Sequence, residues 1–183
     1  MATKATVFKA SLQIADMDRN YYQDHSITLA RHPSETDERM MTRLLAFALN
    51  ANERLEFGQG ITDEDDADIW LKDLTGTIDL WIDVGTPDER LVRKACGRAK
   101  EVRIYAYGGR SAEIWLTQNT SLFARHKNLE IILLPEESTQ ALAALAERTM
   151  NLQFLIQDGQ VAISNADHTV VIDLDNPSPL SVG

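Results

Sequence analysis

Residues 68–98 read DIWLKDLTGTIDLWIDVGTPDERLVRKACGR, and this stretch decides the fold. Ile78, Leu80, Ile82 and Val84 alternate with Asp79, Trp81 and Asp83, the period-two pattern of a strand with two different faces. Residues 68–73 form a second extended segment. The link Leu74-Thr75-Gly76-Thr77 predicts a hairpin with a two-residue loop, Thr75-Gly76. In that register Lys72 faces Asp79, Trp70 faces Trp81, and Asp68 faces Asp83, all on one side of the ribbon. The last pair brings two carboxylates to about 4.5–5.5 Å at Cβ, where like charges repel unless a cation neutralises them. A hard divalent ion suits such a pair, since Mg²⁺ takes one or two carboxylates plus water and phosphate. The alternative is a strand slipped by one residue, or two acids that simply face solvent.

After the strand, Pro87-Asp88 opens a helix expected to run to about residue 100, with Leu91, Val92, Ala95 and Ala99 as its apolar stripe. Arg90, Lys94 and Arg98 recur at every fourth position along one flank. Lysine or arginine there can stabilise charge on a phosphate; each taken singly also fits a solvated basic face.

Working outward, an alternating strand opens the chain from Val7 to Ile14, with a turn at 16–20 and a hairpin partner at 22–31. Ser34 and Asp37 resemble a capping box for a helix whose apolar face is Met41, Leu44, Leu45 and Ala48. Glu38 sits at the margin of that face, where a glutamate wants a partner. Glu35 fits a first-turn acid facing the helix dipole. A short extended segment spans 55–61. Downstream come a strand at 102–107, a weakly patterned helix at 112–124, a buried strand at 129–134 and a helix at 136–150. Three antiparallel segments follow at 152–156, 160–164 and 169–174, with Asp158-Gly159 as a hairpin turn. The flanking strands at the two ends can pair and close one domain over residues 1–174. Residues 175–183, with two prolines, read as a flexible tail. The fold class is α/β with a mixed sheet, in the order α-β-β-β-α-β from 34 to 107.

Composition narrows the function classes. The 183 residues carry 18 Lys and Arg against 28 Asp and Glu, a net charge of −10. That acidity excludes coating nucleic acid or an anionic membrane through bulk charge, but not a local metal-assisted phosphate site. One cysteine, Cys96, excludes an internal disulfide and a thiolate cluster, and reads as a small buried hydrophobe. The four histidines, His25, His32, His126 and His168, show no metal-ligand spacing. No signal-peptide core and no apolar run of membrane length is present, so a cytoplasmic location is expected.

Several smaller features have plain readings. Gly58-Gln59-Gly60 lacks the lysine and context of a phosphate loop and reads as a bulge or turn. The acidic run at 63–66 lacks EF-hand spacing and reads as a solvated loop. Ser34 and Ser111 have no accompanying His and Asp for a hydrolase triad. Tyr105 and Tyr107 share a side of their strand, able to stack on a base or to pack.

Three stretches resemble the YaeQ family, a bacterial variant of the PD-(D/E)XK nucleases. They are MDRNYYQDHSITLARH (17–32), ARHPSETDERMMTRLLAFALNANERLEFGQGI (30–61) and ADIWLKDLTGTIDLWIDVGTPDERLVRKACGRA (67–99). The resemblance covers nearly the whole chain. It implies a restriction-endonuclease-like αβββαβ core with flanking N- and C-terminal strands. It implies a metal-dependent nuclease in which Asp68 and Asp83 hold Mg²⁺ or Mn²⁺, with the Val84 carbonyl as a further ligand. Ala67 stands where the superfamily motif has proline, and Gly85 where it has lysine. In this variant the lysine has moved to the following helix, which points to Lys94. Arg90 and Arg98 would contact substrate phosphates, and Glu38 resembles the first-helix acid of such sites, with Glu35 competing. DNA or RNA bound through a local site is the implied partner. The competing expectation is a catalytically inactive nuclease-fold protein that binds or regulates a protein partner.

Overall fold

The computed structural model describes residues 4–60 and 62–174, and the expected tail at 175–183 lies outside them. In chain order the elements are β1 (Thr6–Asp16), β2 (Tyr21–Arg31), α1 (Asp37–Leu49), β3 (Leu55–Phe57), β4 (Ile69–Lys72), β5 (Ile78–Val84), α2 (Glu89–Arg98), β6 (Ala99–Ala106), α3 (Arg110–Phe123), β7 (Leu129–Leu133), α4 (Glu136–Ala143), β8 (Thr149–Gln157), β9 (Gln160–Ser164) and β10 (Thr169–Asp173). Among the described residues the result is a mixed α+β fold with two five-stranded mixed sheets and four helices. The described residues divide into two compact units, one drawn from residues up to 49 and from 137 onward, the other from residues 50–136. None of the helices among the described residues is long and apolar enough to cross a membrane.

The first unit holds the sheet β10-β9-β8-β1-β2. Strand β1 pairs antiparallel with β2 and parallel with β8, so the two ends of the chain join as expected. Phe8, Ala10, Leu12 and Ile14 on β1 are buried with Leu152, Phe154 and Ile156 on β8. Helix α1 starts two residues later than the Ser34 capping box predicts. Thr36 Oγ1 accepts from the Arg39 amide at 3.1 Å and caps the helix. Ser34 is diverted into a local bond with His32 Nδ1. Glu35 is not a dipole-facing acid but a buried anion clamped by Arg39 and Arg43, each at 2.6 Å. The helix expected over 136–150 is only Glu136–Ala143. Parallel pairing with β1, from Lys9 opposite Thr149 onward, claims the backbone from residue 149, and the Lys9 amide bonds Arg148 O.

The second unit holds the sheet β3-β4-β5-β6-β7. Strands β3, β4 and β5 are antiparallel neighbours, whereas β5, β6 and β7 run parallel through the crossovers α2 and α3. Helix α2 begins where Pro87-Asp88 predicts: Asp88 Oδ1 accepts from the Leu91 amide at 3.0 Å. Its buried residues, Val92 and Ala95, pack in a core cluster with Trp70, Trp81, Val102 and Ile104. Both faces of β5 are therefore covered, the Ile82 face and the Trp81 face.

The β4–β5 hairpin keeps the expected register at its centre and departs from it at the turn. Ile69 faces Ile82, Trp70 faces Trp81 and Leu71 faces Leu80. The loop, however, has three residues. The Asp73 amide bonds Thr77 O, the Gly76 amide bonds Asp73 O, and Gly76 has φ of +87°. Asp73 Oδ1 accepts from the amides of Thr75 and Thr77 and stabilises that loop. The hydroxyl of Thr75, the strongest of these partners, holds the Asp73 carboxyl below its usual range. Lys72 then faces Ile78, and Asp79 is an extra residue that restores the register at Leu80. The expected Lys72–Asp79 pair is not formed. Lys72 Nζ lies 3.7 Å from the Trp70 ring centroid, and Asp79 pairs with Lys100 at 3.2 Å.

Candidate metal and phosphate site

Asp68 and Asp83 come together as the hairpin register demands. The Asp68 amide donates to Asp83 Oδ1 at 3.1 Å, and the Val84 amide donates to Asp68 Oδ2 at 2.9 Å. Each carboxylate therefore bonds a backbone N–H on the opposite strand. Asp68 is buried at 4% exposure, and Asp83 is half-buried. Trp81 Nε1 donates to Asp83 Oδ2 at 2.9 Å, as two side chains of one face separated by two residues can. Trp81 meets Trp70 edge-on, with centroids 5.7 Å apart and planes at 84°.

Helix α2 covers this same face. Its Arg98 guanidinium lies 5.1 Å from the Trp81 ring centroid, so cation, indole and carboxylate form a continuous chain of contacts. The basic flank is paired with the acidic run rather than standing free in solvent. Arg90 bonds Glu64 at 2.9 Å, Lys94 Nζ bonds the Asp65 carboxylate, and Arg98 donates to the Asp65 carbonyl. The Lys94 ammonium, through that bond, holds the Asp65 carboxyl below its usual range. The residues at 63–66 form a largely exposed loop, as expected, and Glu64 and Asp65 in it also bond α2.

The Gly58-Gln59-Gly60 turn also belongs here. The Gly58 amide bonds Asp68 O at 2.9 Å, and a Cβ on Gly58 would lie 2.2 Å from the Ala67 carbonyl oxygen. A Cβ on Gly60 would lie 2.7 Å from Asp68 Oδ1. Both glycines permit a close backbone approach to the segment that carries Asp68. The sequence reads the glycine pair as a bulge or turn but gives neither its approach to Asp68 nor Trp81 as a donor to Asp83. The signals were a repeated glycine two residues apart and an indole two residues before an acid.

Glu38 lies in the first unit, where its Oε2 accepts from Thr139 Oγ1 at 2.8 Å. Gly85 has φ of +97° and its amide donates to the Tyr105 carbonyl, so the position where the resemblance leads one to expect a lysine is a turning point of the backbone. Tyr105 is buried, and its hydroxyl accepts from Asn50 Nδ2 at 2.9 Å, which makes it a packing residue. Burial pushes the Cys96 thiol up to about 11, so it is inert near neutral pH.

As a donor set, Asp68 and Asp83 offer hard carboxylate oxygens of the kind Mg²⁺ and Mn²⁺ prefer. Among the described residues no group of three or more His, Cys, Asp or Glu side chains is gathered for a metal ion. An ion held by these two would complete its shell with water and phosphate.

Comparison with known proteins places the chain among relatives of similar length. The YaeQ protein family model matches residues 1–174. The "Uncharacterized protein YaeQ" of Escherichia coli (strain K12) is 47% identical over 174 residues, which cover 95% of this chain and 96% of that protein. Its Salmonella typhi counterpart matches to the same extent. The crystal structure of YaeQ from Xanthomonas axonopodis pv. citri superposes with a TM-score of 0.90 at 49% identity, over 95% of this chain and 99% of that one. YaeQ from Pseudomonas syringae superposes with a TM-score of 0.88 at 32% identity, over 92% and 93%. Resemblance in three stretches, a match along 174 residues and two closely superposing structures lead to one conclusion: the chain belongs to the YaeQ family.

Proposed function

We propose that this protein is a metal-dependent phosphodiesterase acting on nucleic acid, a variant of the PD-(D/E)XK nucleases. One observation carries the reading: Asp68 and Asp83 interlock at the end of β4 and β5, on the face covered by the helix that bears Lys94. The two carboxylates would hold Mg²⁺ or Mn²⁺, with the Val84 carbonyl as a further donor. When bound, the ion would neutralise the phosphate and lower the pKa of a coordinated water. The Lys94 ammonium would stabilise charge developing on the phosphate once it leaves Asp65. Arg90 and Arg98 would contact the neighbouring phosphates.

The test is cleavage of labelled single-stranded DNA, duplex DNA and RNA with Mg²⁺ or Mn²⁺. Wild-type protein is expected to cut at least one of them, and Asp83→Asn to lose about a hundredfold or more of that rate. Lack of cleavage with every substrate and metal counts against the reading. A second reading, an inactive nuclease-fold binding module, draws on Gly85 in the lysine slot and on the Lys94–Asp65 bond. Binding of an oligonucleotide without cleavage in any metal favours it.

A further inference from the structure

The three cations of the α2 flank are all held by one short acidic run. Glu64 takes Arg90, the Asp65 carboxylate takes Lys94, and the Asp65 carbonyl takes Arg98. The partners are 26, 29 and 33 residues apart in sequence, so this is a tertiary contact and not a helical i, i+4 ladder. The flank repeats its charge about every 6 Å along the helix, four residues at 1.5 Å each. That is of the order of the spacing between neighbouring phosphates on an extended strand. Arg98 has a second anchor, the Trp81 ring, and Trp81 in turn bonds Asp83. The same loop reaches Asp68, because Gly60 packs against its carboxylate and the Gly58 amide bonds its carbonyl. Arg90 and Glu64 are well exposed, with side chains 63% and 60% accessible, and Asp65 is 72% accessible. Exposed ion pairs open at little cost and are screened by salt.

We propose that the acidic run at 63–66 is an autoinhibitory strap: Glu64 and Asp65 occupy Arg90, Lys94 and Arg98 in place of a phosphodiester strand, which binds by displacing them. This rests on the phosphodiesterase reading for the identity of the competing strand. It adds a regulatory step to that reading, since Lys94 reaches substrate only after Asp65 has let it go. It also reconciles a chain of net charge −10 with a polyanionic ligand: the cations are present, two of them paired with carboxylates within the fold and the third held by a carbonyl.

The experiment measures binding of a fluorescent single-stranded oligonucleotide by anisotropy, in EDTA, so that hydrolysis plays no part. The protein is compared as wild type, as Glu64→Gln/Asp65→Asn, and as a charge-matched control, Glu137→Gln/Glu147→Gln, whose acids are exposed elsewhere. The strap variant is expected to bind about tenfold tighter, and its affinity to fall more steeply with salt, as freed cations add phosphate contacts. Adding Arg90→Ala, Lys94→Ala and Arg98→Ala to the strap variant is expected to abolish the gain. Equal affinity of wild type and strap variant overturns the proposal. So does an equal gain in the charge-matched control, or a gain that survives loss of the three cations. The outcome is separate from the cleavage test: tighter binding without cleavage in any metal keeps the strap and removes the chemistry. Cleavage without tighter binding does the reverse.

Discussion

Asp68 and Asp83 hold each other's strands. The amide of Asp68 bonds the Asp83 carboxylate, and the carboxylate of Asp68 bonds the amide that follows Asp83. Both carboxyls are anchored by backbone donors of the opposite strand, and Asp68 is almost fully removed from water. A buried carboxyl costs stability unless such hydrogen bonds compensate it.

The approach of the Gly58–Gly60 turn to Asp68 leaves no room for side chains. Gly58→Ala would drive its Cβ into the Ala67 carbonyl, a backbone atom that cannot swing aside. A loss of about 1–3 kcal/mol is expected from overpacking, read by urea unfolding. An unchanged midpoint would show that the turn does not press on this segment.

Trp81→Phe keeps an aromatic ring beneath Arg98 and removes the indole donor to Asp83 Oδ2. A bond to a charged group in a nearly closed setting is worth about 1.5–3 kcal/mol. The variant is expected to lose that much by chemical denaturation, and Asp83→Asn/Trp81→Phe to lose less than the sum of the two single changes. Strict additivity would mean that the bond carries no energy.

In the first unit, Glu35 has a fully buried side chain between Arg39 and Arg43, and Arg43 is only 7% accessible. Glu35→Ala leaves two arginines without their anion, one of them buried. A loss of about 3–5 kcal/mol is expected, measured as a fall in thermal or urea stability. A loss below about 1 kcal/mol would contradict the clamp.

His25 supplies a pH test. Burial lowers its pKa below 6.5, against the opposing charge of Asp24. Its Nε2 sits 2.7 Å from the Tyr21 hydroxyl, and its ring meets Phe47 edge-on at 5.4 Å. A lowered pKa means that the unfolded chain binds the proton more readily. The contribution of His25 to stability is therefore complete above about 6.5 and declines as pH falls through the folded value. NMR titration should give a midpoint under 6.5, and Asp24→Asn should lower it further. A midpoint at or above 6.5 contradicts the assignment.

Much of the site was legible because period-two alternation places residues on faces. Asp68, Trp70, Trp81 and Asp83 share a side whether the hairpin loop has two residues or three. The reason is compensation: the longer loop shifts the register by one, and the bulge at Asp79 shifts it back before Leu80. The longer loop itself was hidden, because it depends on the Asp73 side chain capping the amides of Thr75 and Thr77. Residues 144–150 looked helical from their Ala and Leu content, and the parallel pairing with β1 overrode that propensity. The acidic run and the basic flank were each visible, but their pairing was not. Contacts across some 30 residues leave no periodic trace in a sequence.

Binding of Mn²⁺, followed by loss of the free-ion EPR signal, tests the central claim most directly. Wild-type protein should take up a single ion per chain. Asp68→Asn and Asp83→Asn, each shown to be folded by circular dichroism, should both weaken that binding by roughly 10–100-fold. Wild-type protein that leaves the free-ion signal untouched, or variants that bind as tightly as wild type, would contradict the assignment of these two aspartates as a metal centre.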